Sequence, residues 1–161
     1  MEIEMNVKGL MIDPITNMPI IILRDREGQK ILPIWVGVFE ANAIALQIEN
    51  VQTPRPMTHD LLKNVLQDLH AEVARVVVTA LRENTFYASI HLRTGASEVV
   101  IDARPSDAIA LALRTHSPIY VEESVIQSAR SSESSRENMD LGRIQKWLEG
   151  LTEEELGKYK M

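Results

Sequence analysis

The sequence predicts an α+β fold: two β-β-β-α halves joined by a helix, a mostly antiparallel, mixed sheet, and a helical C-terminal extension. Three observations predict it. Short β-branched or alternating runs are separated by turn residues, and apolar residues at helical spacing follow every third run. The whole pattern also occurs twice: Ala43-Ile44-Ala45-Leu46 matches Ala108-Ile109-Ala110-Leu111 at an offset of 65 (108 minus 43), which lays Ile34-Trp35-Val36 on Val99-Val100-Ile101. Such repetition predicts a pseudo-two-fold arrangement, with Glu40 and Asp107 at comparable sites near helix starts. Any hairpin followed by a helix also looks like this, so coincidence stays open at this point.

Each element has its own warrant. Ile3, Met5 and Val7 alternate with Glu4, Asn6 and Lys8, the mark of a half-buried strand that continues through Leu10 and Ile12. Asp13-Pro14 and Asn17 turn the chain into a second strand, Pro19 to Leu23, and Asp25 to Gly28 turn it again. The third strand, Lys30 to Val36, carries Pro33, which suits an edge or a bulge. Gly37 breaks it before a helix over Phe39 to Ile48. Pro54 and Pro56 keep 50–57 extended, and Thr58 is a candidate N-cap for a helix carrying Leu61, Leu62, Val65, Leu66 and Leu69. Val73 to Leu81, Phe86 to Leu92 and Val99 to Ile101 are strands, the first central and the last expected to be buried. Pro105 then fits the first turn of a helix, apolar nearly all round, that Pro118 stops. A strand follows at Pro118 to Val121, and Glu122 to Ala129 suits a short helix.

The domain expected is 1–129, followed by a flexible linker at 130–139 and an extension at 140–161 with Leu141, Ile144, Trp147, Leu148 and Leu151 as an amphipathic stripe. A stripe containing tryptophan must bury somewhere, and the expectation is a homo-oligomer. The chain has no cysteine, no signal-peptide pattern at its start and no apolar run of spanning length. These features lead us to expect a cytoplasmic protein without a membrane partner. Against 17 Lys+Arg stand 23 Asp+Glu, a formal charge of -6, which counts against nonspecific nucleic-acid binding unless cations are clustered or metals bridge.

Five stretches resemble the successive motifs of the bifunctional nuclease domain family. They are Leu32 to Gly37, Pro54-Arg55-Pro56 with Thr58 to Leu62, Asn84 to Ala88, Asp102 to Ala108, and Pro118 to Val121. The resemblance covers roughly residues 5 to 130 in the family's order and spacing. It implies a small α+β domain and nuclease activity on DNA and RNA, attributed mainly through plant members, with no mechanism to carry over. The C-terminal extension lies outside it.

Phosphodiester hydrolysis needs an activated water, a proton for the leaving oxygen and positive charge near the phosphorus, often with carboxylate-bound Mg2+ or Mn2+. The candidates are Glu40, His59, Asp60 and Asp107 for catalysis and Arg55 and Arg104 for the phosphate. Asp102 and Asp107 are the metal-ligand candidates. Each also has a plainer reading: Glu40 and Asp107 offset helix dipoles, Thr58 and Ser106 cap, and Arg104 pairs with Asp102 or Asp107. No His-Glu-x-x-His or Asp-x-Asp cluster, nucleophile elbow or phosphate-binding glycine loop is present. A nuclease and a non-enzymatic oligomeric regulatory or ligand-binding module are therefore the two functions to separate. Convergence of Glu40, His59, Arg104 and Asp107 on one open cleft favours the first, and burial in separate ion pairs favours the second.

Overall fold

The computed structural model describes residues 1–131 of the chain. Most of the expected linker and the whole expected extension lie outside the described residues. The elements are β1 (Glu2–Ile12), β2 (Pro19–Asp25), β3 (Ile31–Trp35), α1 (Val38–Ile48), α2 (Thr58–Asp68), β4 (Ala71–Arg82), β5 (Thr85–Thr94), β6 (Ser97–Ala103), α3 (Pro105–Thr115), β7 (Ile119–Glu122) and α4 (Glu123–Ser131). Arg130 and Ser131, expected in the linker, close α4 instead.

The fold is α+β, and its one mixed sheet orders its strands β3-β2-β1-β7-β4-β5-β6. Two antiparallel meanders, β1 to β3 and β4 to β6, flank β7. Because β7 runs antiparallel to β1 and parallel to β4, β1 and β4 run in opposite directions, as a two-fold relation between the meanders requires. The strand β7 has no counterpart and breaks that relation.

Alternation sorts the side chains. Val76 and Val78 of β4, Ala88, Ile90 and Leu92 of β5, and Ile119 and Val121 of β7 belong to one core with Ala41 and Ile44 of α1 and Ala108 to Ala112 of α3. Full burial of each valine, leucine or isoleucine among them contributes roughly 1.5–3 kcal/mol, so α1 and α3 are held chiefly by packing. The helix α3 is indeed buried on nearly every side. As Pro33 suggested, β3 is an edge strand.

The other edge overturns an expectation. Val99, Val100 and Ile101 of β6 are exposed rather than buried, because β6 ends the sheet and no element covers its outer side among the described residues. A β-branched run reports a pleated strand but not its position in the sheet. Thr58 is likewise not the cap of α2: Met57 holds that position, and Asp60 accepts its backbone N–H at 3.0 Å. No described helix is long and apolar enough to cross a membrane.

Candidate functional site

Three helices begin at one place. Glu40 and Asp107 are each the third residue of their helices, α1 and α3, so the two halves put their carboxylates at equivalent turns. Arg104, the N-cap residue of α3, joins them: its Nη1 donates to Glu40 Oε1 at 3.0 Å and its Nε to Asp107 Oδ2 at 2.9 Å. His59, second in α2, completes the group with Nε2 2.9 Å from Asp107 Oδ1. These four residues line a cleft of about 340 Å3 with Phe39, Met57 and Thr58.

The electrostatics are mixed. Two carboxylates face one guanidinium, and the positive ends of three helix dipoles add to the guanidinium's side. Burial raises the Asp107 carboxyl, but hydrogen bonds from Arg104 and His59 outweigh it and hold the group below its ordinary 3.8. The same contacts, Asp107 first and Glu40 next, push the Arg104 guanidinium up. Asp107 is therefore an acceptor at neutral pH, so His59 must donate from Nε2. In the neutral ring Nδ1 then carries the free lone pair, and it has no hydrogen-bond partner among the described residues. A histidine held this way suits general-base work.

Of the other candidates, Asp60 belongs to a different structure. Arg114 is buried at 4% exposure, and its Nε donates to Asp60 Oδ1 at 2.8 Å. Its other nitrogens reach the carbonyls of Ala43 at 2.8 Å and Ala110 at 3.0 Å, so one guanidinium ties α1, α2 and α3 together. Burial raises Asp60, but the Met57 N–H and Arg114 outweigh it and leave it below 3.8. Arg55 is exposed on the neighbouring loop and lines a separate hollow with Asp60 and Asn64.

Asp102 and Asp107 are not brought together. Asp102 pairs with Ser89 and alternates with Ile101 and Ala103, whose partners Ile90 and Ala88 face the core. Its side chain thus lies on the far side of the sheet from α3. The described residues contain no group of three His, Asp or Glu side chains placed to hold a metal ion. Both Asp107 oxygens are already engaged, so this donor set does not fit a preformed Mg2+ or Mn2+ site.

Sequence reasoning missed Phe39, 88% exposed at the cleft. Its position between a strand-breaking glycine and an acid in the first helical turn was the available signal. Arg114 suits the negative end of the α3 dipole by its position, but an arginine inside an all-apolar helix also signals an internal tie.

Comparison with known proteins agrees with the motifs. The bifunctional nuclease domain matches residues 21–134. An uncharacterised protein of Mycobacterium tuberculosis is 41% identical over 126 residues, covering 78% of this chain and 75% of that one. Bifunctional nuclease 2 of Oryza sativa subsp. japonica is 31% identical over 137 residues, 81% of this chain but 42% of its own. Bifunctional nuclease 1 of Arabidopsis thaliana is 35% identical over 107 residues, 64% of this chain and 33% of its own. By its motifs, their order and the extent of the match, the chain belongs to the bifunctional nuclease domain family.

Proposed function

We propose that the chain is a nuclease that hydrolyses phosphodiester bonds of DNA or RNA in the His59–Asp107 cleft. The observation that carries this reading is the convergence of Glu40, His59, Arg104 and Asp107 on one open cavity from three helix starts. In this reading His59 Nδ1 takes a proton from a water as its oxygen attacks phosphorus. The bond to the leaving oxygen breaks, and that oxygen receives the proton back from the imidazolium. Asp107 fixes the ring and stabilises its charged form, much as the acid does in hydrolytic triads. Arg104, with its side chain 65% exposed, offers N–H groups and charge to the phosphate beside the α3 N-terminus. No step is routed through a metal.

The working form we infer is a homo-oligomer. Support comes from α2, which buries none of its residues and, with its C-cap Leu69, leaves Leu61, Val65 and Leu69 uncovered at helical spacing among the described residues.

The test is a time course on single-stranded DNA and RNA with purified protein, in EDTA and in added Mg2+ or Mn2+, beside Arg104→Ala and Asp107→Ala. Hydrolysis that both variants lose supports the reading. Hydrolysis that both retain assigns the activity to another site or to a contaminant, and no hydrolysis by wild type leaves the non-enzymatic module.

A further inference from the structure

A second cavity of about 260 Å3 adjoins the first, and the two share only Glu40 and Arg104. The Arg104–Glu40 ion pair is thus a partition between two chambers. Their chemistry differs. The first has the imidazole and both carboxylates. The second is walled by Phe86 and Pro105 and edged by the neutral polar groups of Asn84, Thr85 and Ser106, while the Trp35 indole beside it turns to the other face of the sheet and donates to Asp13. The second cavity gathers Asn84, Thr85, Phe86 and Ser106, residues of the family-like stretches that take no part in the hydrolytic group.

Ser106 is the telling residue. It is only 6% exposed, and its hydroxyl has no hydrogen-bond partner among the described residues. Yet it is not sealed away: the one sealed, unpartnered side-chain polar atom there is Arg24 Nε. The hydroxyl therefore opens to the cavity it lines. A hydroxyl that opens to a cavity and has no protein partner is free to bond a ligand in place of water. The Asn84 amide, at the β4–β5 turn on the same rim, is also without a partner.

We propose that this second cavity seats one nucleobase of a single-stranded nucleic acid whose adjoining phosphodiester lies across Arg104 in the His59–Asp107 cleft. The proposal rests on the nuclease reading for its second half. A base is a flat π-face with donors and acceptors on its edge. An aromatic wall such as Phe86, a guanidinium plane and neutral amide and hydroxyl groups are the means by which unstacked bases are held. The volume falls below the roughly 300–1,000 Å3 of drug-sized sites, the scale of one ring system rather than a stacked pair. A paired, stacked base cannot enter, so single strands and frayed ends are the substrates.

The experiment is calorimetric titration of the full chain with adenosine and uridine 5′-monophosphates, and with inorganic phosphate, for wild type, Ser106→Ala and Asn84→Gly. Glycine keeps the left-handed backbone at Asn84, where φ is 61°. Each variant is expected to weaken at least one monophosphate about fivefold, one hydrogen bond's worth, and to leave phosphate affinity unchanged. Wild-type affinity for both nucleotides in both variants, or no nucleotide binding by wild type, overturns the base site. A parallel His59→Ala assay separates the two ideas: variant-sensitive nucleotide binding with His59-independent hydrolysis keeps the base site and removes the hydrolytic reading. The reverse result removes the base site alone.

Discussion

His59 and Asp107 stand 48 positions apart in sequence and meet at 2.9 Å, Nε2 to Oδ1. The contact joins the start of α2 to the start of α3. The His59 side chain is 13% exposed and that of Asp107 32%, so the contact is shielded but open on the cleft side. Arg104 on the other Asp107 oxygen makes the carboxylate a shared anchor for a base and a cation.

Gly37 bears on this group from outside it. A Cβ there would collide with the Glu40 carboxylate, the far end of a flexible side chain. Gly37→Ala should therefore displace Glu40 from Arg104 while the backbone stays in place. We expect hydrolysis to fall about as far as in Glu40→Gln, with the melting temperature within a few degrees of wild type. A large loss of stability with full activity would place Gly37 in the fold alone.

Arg114 and Asp60 should respond as structural residues. Removing one partner of a largely buried, multiply bonded ion pair costs on the order of 3 kcal/mol, so Arg114→Ala should shift the denaturant midpoint strongly. Asp60→Asn, at a side chain 34% exposed, should cost less. Equilibrium unfolding in urea checks both. An unaltered midpoint in Arg114→Ala would remove the tie among α1, α2 and α3 from the account.

Asp13 supplies a pH test away from the cleft. It is 3% exposed; burial raises its carboxyl, but donors from Thr16, the Ile15 N–H and Trp35 Nε1 hold it below 3.8. A group depressed on folding contributes stability that is complete above its unfolded value and is lost as pH falls through the folded one. The gap between wild type and Asp13→Asn should therefore be widest near neutrality and shrink below about pH 4. Thermal melts across that range measure it. A gap constant with pH would mean that the charge contributes nothing.

The open stripe of α2 predicts assembly. Light scattering of the full chain should give more than the monomer mass, and Leu61→Glu with Val65→Glu should lower it. A monomeric wild type would end the homo-oligomer inference.

Much of this was legible in the chain. Alternation gave the strands, Gly37 and Pro105 marked the helix starts, and the 65-residue offset anticipated the two meanders and the matched turns of Glu40 and Asp107. Local signals end where partners are distant. Nothing near Val99 to Ile101 tells an edge strand from a central one, since the difference lies in which strand pairs next. Asp60 and Asp107 occupy similar first turns, yet a buried Arg114 takes one and His59 with Arg104 takes the other. Only the packing of three helices decides that.

The central claim is that His59 acts as a base held by Asp107. The direct measurement is the hydrolysis rate of an end-labelled single-stranded oligonucleotide by wild type and His59→Ala, expressed and purified in parallel. General-base removal predicts a loss of about 10^2- to 10^4-fold with folding intact by circular dichroism. Equal rates from the two preparations would contradict the account.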